Sequence, residues 1–353
     1  MSGHSASPFQ FVRQKSLIQR SSQIGFSLIE LMIAMVLGLI VIGGVISVFL
    51  AGQRSYVTNT ALGDVQDGSR IAFEMMARDI RDAGLTGCGN RDRVSNVLNN
   101  SPTAGGSTWW ADWSNAVHGY GAGTATADPA LVGLNQVGGT DSLQLLGATD
   151  SGLSVAATPS STAANFKLND KSSDLVTGDV IIVCDPDHAA IVQITDYNDS
   201  TVTVVHNDNS GNKTIPGNCS KGLGYPPLCT TNGNGYQYGP NSQIFKFAGV
   251  DWYIGTNPTG GKSLYRVSVT TVSNKPTPTS QEMVRDVTAM SIRYHQAGQS
   301  SFVDAATVGT NWAAVDAVQV QLTLESVDKS AGTNGKAIAR NFTATTTVRN
   351  RVQ

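Results

Sequence analysis

Apolar and polar positions divide the chain into stretches of different period. Residues 1–25 carry Arg13, Lys15 and Arg20 and no acid. From Leu31 through Ala51, 21 residues, no side chain is charged; a helix needs about 20 such residues to cross a bilayer core. From Gln53 to Ala83 the pattern turns amphipathic. Val57, Ala61, Val65, Ala72, Met76 and Ile80 recur every three or four positions, with one turn skipped at Gly68. Glu74 and Arg78, and Arg78 and Asp82, sit four apart and are expected to pair on a solvated face. Gly84 and Gly87 then stop the periodicity. The prediction is one long helix, apolar in its first half and packed on a domain along its second.

Past Gly84 no helical period returns. Short runs rich in Val, Ile and Thr alternate with Gly, Asn, Asp and Pro clusters. The clearest are 142–146, 179–184, 190–195, 201–206, 243–248, 252–255, 263–269, 290–294, 315–324 and 341–349. Residues 96–140 and 207–242 lack periodicity and are expected to be long loops. The fold class read from this is α+β, a long N-terminal helix joined to an antiparallel β-rich domain. Its expected segments are 1–25, 26–51, 52–84 and 85–353.

Composition narrows the setting. The 353 residues carry a formal charge of −2, only 14% are charged, and there are 37 glycines. Soluble domains average roughly 25% charged residues, so a loop-rich β domain working outside the cytoplasm fits better. A highly charged disordered chain and a multi-span membrane protein are excluded. The balanced charge gives no global field for nucleic acid, and scattered Lys and Arg form no stripe for it. No direct binding to nucleic acid is expected.

Three readings compete for the N-terminal segment. A secretory signal has an apolar region of about 7–15 residues followed by a small-residue cleavage site. Here the apolar run is longer, and the small residue, Gly25, precedes it. A plain anchor fits the length but leaves Glu30 unexplained, because a carboxylate at the end of an apolar span normally needs a partner. The basic leader places the N-terminus in the cytoplasm and the rest across the membrane. The run Gly25-Phe26-Ser27-Leu28-Ile29-Glu30 resembles the prepilin processing site of type IV pilins and type II secretion pseudopilins. The resemblance implies that residues 1–25 are a leader, that prepilin peptidase cuts between Gly25 and Phe26, and that Phe26 becomes N-methylated. Glu30 takes the acidic fifth position and docks the subunit into a filament, its charge answering a neighbour's N-terminal ammonium. The leader is long for the family, which leaves the true start codon open. No proline loosens the apolar helix, a part that Gly43-Gly44 is expected to take.

Further blocks resemble the PilW-type minor pilins. They are the helix end 77–89, Gly139-Thr140-Asp141-Ser142-Leu143, the run from Gly178 to Val183, Trp252-Tyr253-Ile254-Gly255, Ser263-Leu264-Tyr265-Arg266, and the ending from Phe342 to Arg351. The resemblance implies a pilin-like fold and a role in assembly. The chain would join other minor pilins and the major pilin, initiate the pilus, sit at its tip and engage a PilY-type adhesin. Twitching motility and adhesion would follow. It also implies residence in the inner membrane of a Gram-negative bacterium, with the C-terminal domain periplasmic, before assembly into the pilus.

Candidate chemistry is sparse, and no cofactor is expected. Gly255 to Ser263 has the look of a phosphate-binding loop, but five residues separate its first glycine from Gly-Lys-Ser where four are required, and a strand follows. A hairpin turn is expected instead. The five histidines show no metal-type spacing, and there is no Cys-x-x-Cys. Asp185-Pro186-Asp187-His188 is read as a turn rather than a metal site, and the Asn- and Asp-rich run 207–212, which lacks a calcium loop's closing glutamate, as a polar hairpin. No Gly-x-Ser-x-Gly elbow is present. Four cysteines allow three pairings, among which the sequence does not select. The pairing we favour is Cys219 with Cys229 and Cys88 with Cys184, the second tying the helix end to a strand. Trp109, Trp110 and Trp113 are either a partner-contact patch or a satellite core, and the sequence leaves both open. The leading function is therefore a non-enzymatic minor pilin. The rivals are a J-like pseudopilin of type II secretion and, behind it, a membrane-anchored periplasmic enzyme.

Overall fold

A computed structural model of the chain describes residues 25–89, 93–122, 127–158, 160–161, 163–208 and 214–351. The chain divides into two units, Met1–Tyr56 and Val57–Gln353. Helix α1 (Leu28–Asp82), 55 residues long, contributes to both. In the first unit the helix opens on Ser27, whose carbonyl accepts the N–H groups of Glu30 and Leu31 at 3.1 and 3.2 Å. From Phe26 to Leu50 its large apolar side chains are exposed. The helix is long and apolar enough here to cross a membrane.

In the second unit α1 buries Ala61, Val65, Ser69, Ala72, Met76 and Ile80. Steps of three and four keep these on one stripe. Ser69 fills the turn that the apolar pattern skips. Gly68, beside it, lets the helix come close to the domain: a Cβ there would stand 3.3 Å from Leu324 Cδ2. Val65, Ala72, Met76 and Ile80 pack into a core shared with Trp252, Ile254, Leu264, Leu322, Leu324 and Val348, while Ala61 packs with Ala331 and Ile338.

Among the described residues fourteen strands build the domain. The larger sheet orders β1 (Val94–Asn96), β6 (Ala189–Gln193), β5 (Val180–Cys184), β9 (Gln243–Thr256), β3 (Ser142–Ala157), β4 (Asn165–Leu168), β8 (Thr203–Val205) and β7 (Asp196–Asn198). β2 (Val117–Tyr120) adds to β3, while β10 (Lys262–Val272) adds to β9 and β11 (Lys275–Arg285) to β10. A three-stranded sheet orders β12 (Val287–Gln296), β13 (Val315–Glu325) and β14 (Ala339–Thr347). Among the described strands all pairs but one are antiparallel; β1 runs parallel to β6. The α+β expectation of one long helix on a largely antiparallel domain therefore holds.

Several boundaries differ from the sequence reading. The runs 243–248 and 252–255 are one strand, paired with β3 straight through Gly249 opposite Leu146. Gly249 is small for a packing reason, since a Cβ there would meet Val269 Cγ2 at 2.9 Å and Trp110 Cβ at 3.1 Å. β11 had no sequence signal because Pro276 and Pro278 interrupt it; as an edge strand bonded only to β10 it tolerates both. Within 96–140 lie β2 and short 3-10 turns. The described part of 207–242 contains no strand.

Candidate functional site

The residues that carry the prepilin resemblance lie together at the start of α1. Gly25, Phe26 and Ser27 precede the helix in irregular backbone, and Phe26 is 81% exposed. The Gly25–Phe26 peptide bond thus lies outside any hydrogen-bonded ladder, as a bond must for a peptidase to reach it. Glu30 is exposed in the first helical turn, and its N–H also bonds Ser27 Oγ at 3.2 Å. Ser27-x-x-Glu30 is the spacing of a helix capping box, a signal absent from the sequence reading. An acid there is favoured by the helix dipole as well, so Glu30 has a local role beside any role in docking. Of the expected leader, residues 1–25, all but Gly25 lie outside the described residues.

At the other end of α1 the structure builds a clasp that sequence reasoning missed. Asp79 accepts from Arg266 Nε at 2.8 Å and Nη2 at 3.2 Å, and from the buried Trp252 Nε1 at 2.9 Å. The Arg266 guanidinium carbon stands 5.9 Å from the Trp252 ring centroid. Trp252 and Arg266 are opposite one another in β9 and β10, so one carboxylate pins the helix to two strands. Five residues on, Gly84 ends the helix at φ +72°, its N–H bonding Leu146 O at 2.7 Å and its carbonyl taking Asn350 Nδ2 at 2.7 Å. Arg351 Nη1 donates to the carbonyls of Trp312 and Val315 at 2.5 and 3.2 Å. Three sequence blocks, around Asp79, Trp252–Arg266 and Asn350, thus meet at one place. The expected Glu74–Arg78 pair is replaced by Arg70–Glu74 at 2.9 Å, an exposed pair of small energetic weight.

Cys88 is bonded to Cys184, and Cys219 to Cys229, with no free cysteine among the described residues. The first bridge joins the segment just past α1 to the end of β5. Trp110 is buried and packs with Phe247, and Trp113 tilts onto the same ring, their centroids 6.4 and 6.2 Å from it. The tryptophan cluster is thus a satellite core. The glycine-rich run 255–263 is the β9–β10 hairpin, its loop held by Asn257 Oδ1, which accepts from Thr259 N and Gly261 N at 3.1 and 2.8 Å. Asp185 Oδ1 accepts from Asp187 N and His188 N, both at 2.9 Å, which makes that segment a turn. Among the described residues no group of three or more His, Cys, Asp or Glu is placed to hold a metal. The polar run 207–212 lies outside them from 209 onward. Burial pushes His206 down to about 4, so it is a neutral core side chain.

One buried acid pair stands apart. Asp128 accepts from Ala130 N at 2.9 Å, from Gln144 Nε2 at 2.6 Å and from Ser142 Oγ. Beside it Asp251 is fully buried, and neither of its oxygens meets a protein donor. Burial first, then the neighbouring Asp128 charge and a hydrogen bond to Asp128, hold the Asp251 carboxyl well above the usual carboxylate range. A proton on Asp251 supplies the donor that the pair lacks. Because its pKa is raised in the folded state, its contribution to stability is fully present below the unfolded value of about 4 and is lost as pH rises through the folded value. The loss has a slope of up to about 1.4 kcal/mol per pH unit for one proton. Asp251→Asn, which donates to Asp128 without titrating, is therefore expected to gain on wild type as pH rises from 4 to 8. Denaturant midpoints at the two pH values check this, and a gap that does not change with pH would defeat it.

An open groove of about 600 Å³ runs beside the clasp, lined by Met75, Arg78, Asp82, Leu85, Phe245 and Met283 among others. Asp79 and Arg266 border it but are already engaged with each other.

A search of curated proteins returned no match to this chain. Two family comparisons did match: residues 20–46, spanning Gly25, Phe26 and Glu30, match the prokaryotic N-terminal methylation motif, and residues 251–351, which supply Trp252, Arg266 and Asn350 to the clasp, match PilW, the Type IV Pilus-assembly protein W family.

Proposed function

We propose that this chain is a minor pilin of a type IV pilus, a structural subunit without catalysis. The observation that carries the reading is the N-terminal segment itself. A Gly-Phe bond in irregular, exposed backbone precedes a capped helix start with Glu30 in its first turn, and the uncharged apolar run follows. Both family matches support it. In this reading residues 1–25 are removed as the leader and Phe26 is N-methylated. Residues 26–51 hold the subunit in the inner membrane and later in the filament core, and residues 52–84 fix that helix to the periplasmic domain 85–353. Glu30 answers the N-terminal ammonium of a neighbouring pilin, which spares both charges an unpaired place among apolar helices. The partners are other minor pilins, the major pilin and prepilin peptidase, with a place in pilus initiation and at the tip next to a PilY-type adhesin, and with motility and attachment as consequences.

Mass spectrometry of sheared pili beside the membrane fraction tests it. A small amount of peptide beginning at N-methyl-Phe26 is expected in the pili. The modified peptide confined to membranes, with protein secretion lost on deletion, would move the chain to a secretion pseudopilus. An uncleaved peptide across Gly25–Phe26 would overturn the pilin reading. Gly25→Trp is expected to abolish cleavage, since a bulky side chain replaces the hydrogen beside the scissile bond. Glu30→Ala is expected to leave cleavage intact and to reduce surface pili several-fold; normal piliation in that strain would remove the docking role.

A further inference from the structure

Sheet edges in this domain are treated unequally. β1 and β7 are three residues long and β2 is four, too short to template another strand. β11 is long, but Pro276 and Pro278 interrupt it and Lys275, Glu282 and Arg285 charge it. The outer edge of β12 is occupied: Met290 O takes the N–H of Asp141, Ile292 N donates to Asp141 Oδ2, and Tyr294 exchanges both backbone bonds with Val303. β14 differs from all of these. Its nine residues contain no proline, its pairing with β13 has no bulge, and no described strand lies on its other side. Beyond the β13 pairing, the backbone of β14 accepts, among the described residues, a bond from the Arg340 side chain to Ala339 O at 3.1 Å.

Charge limits what can add there. From Ala331 to Gln353 there is no Asp or Glu, while Lys336, Arg340 and Arg349 are exposed around the ends of the strand. A second copy added antiparallel about Thr343 would bring Lys336 and Arg340 of one chain toward Arg349 of the other. Added parallel and in register, it would stack Arg340 on Arg340. Like charges so placed are destabilising in either arrangement. The middle of the strand is uncharged. Phe342, Ala344 and Thr346 are half-buried on the side of Leu322, Val320 and Val318, and Thr343 and Thr345 are exposed on the other.

We infer that the free edge of β14 is a strand-addition site for an extended segment of a different chain, alternating apolar and polar through its middle and acidic at its ends. Main-chain bonds supply the affinity, the apolar side chains cover Phe342, and the acids select the partner through Arg340 and Arg349. The inference rests on β14 and not on the N-terminal segment, so it fails or holds independently of the pilin reading.

The test uses the full-length chain in detergent and fluorescent nine-residue peptides of alternating Val and Thr, ended either by Glu pairs or by Lys pairs. Wild type is expected to bind the Glu-ended peptide at least tenfold more tightly than the Lys-ended one. The double variant Arg340→Glu with Arg349→Glu, both exposed positions, is expected to reverse that preference. N-methylation of alternate backbone amides in the Glu-ended peptide is expected to abolish its binding. An unchanged preference in the double variant would overturn the inference. Equal binding of the N-methylated peptide would reduce the site to charge attraction and overturn strand addition. Self-association of wild type that excludes the peptide would give the edge to a second copy and overturn the choice of partner.

Discussion

Asp79→Ala is expected to destabilise the domain by about 3 kcal/mol, the lower part of the range for removing one partner of a buried ion pair. The lower part applies because the pair is not sealed: the side chains of Arg266 and Asp79 are 27% and 17% exposed. Two groups lose their acceptor at once. The Arg266 guanidinium gives up two bonds, and the buried Trp252 indole N–H gives up its own. An orphaned buried donor costs about 1–3 kcal/mol by itself. Asp79→Asn separates the contributions, since its amide oxygen can still accept from one donor but carries no charge; an intermediate loss is expected. Urea midpoints at unchanged slope measure both. A loss for Asp79→Ala below about 1 kcal/mol, the usual weight of a surface pair, would show that the clasp does not hold the helix.

Replacing the Cys88–Cys184 pair by serines is expected to cost more than replacing Cys219–Cys229. The bridges span 96 and 10 positions. In the chain-entropy account those separations correspond to about 4.7 and about 2.8 kcal/mol. The two loops do not overlap in sequence, so the effects should add when both bridges are removed. The Cys88–Cys184 loss should also free the segment past Gly84, because that bridge is its covalent tie to β5. Chemical denaturation of the two double-serine variants decides the order. A larger loss from the 219–229 bridge would mean that native packing around the Pro-rich loop, rather than loop entropy, sets its value.

How much of this was legible in the sequence depends on how local the signal is. The stripe Ala61, Val65, Ala72, Met76 and Ile80 was readable because helical spacing is a local property, and Ser69 was missed because a small polar residue carries no apolar signal. β11 was hidden by prolines that exclude a central strand but not an edge one. β9 read as two strands because Gly249 weakens the alternation where the packing admits no Cβ. The residues that carry the N-terminal methylation motif, Gly25 to Glu30, are consecutive, so the resemblance was readable as one block. The clasp was not, because Asp79 and Arg266 are 187 positions apart, and the resemblance marks the blocks that contain them without showing that the two side chains meet. The same holds for Asp128 and Asp251, whose burial is a property of the sheet and not of their neighbours in the chain.

The closure of the helix end by Asn350 and by Val348 has a consequence in time. A chain made from its N-terminus completes α1 first and the strand end that covers it last, about 270 residues later. Until those last residues emerge, the stripe from Ala61 to Ile80 has no lid on the β14 side, and the pairing that supplies one is among the most non-local in the chain. Loop closure over such a separation slows folding. The buried stripe of the helix must therefore wait for its last cover. A truncation that removes residues 348–353 and leaves β14 whole is expected to act on the first-made element, by leaving Gly84 and the end of α1 without their closing contacts.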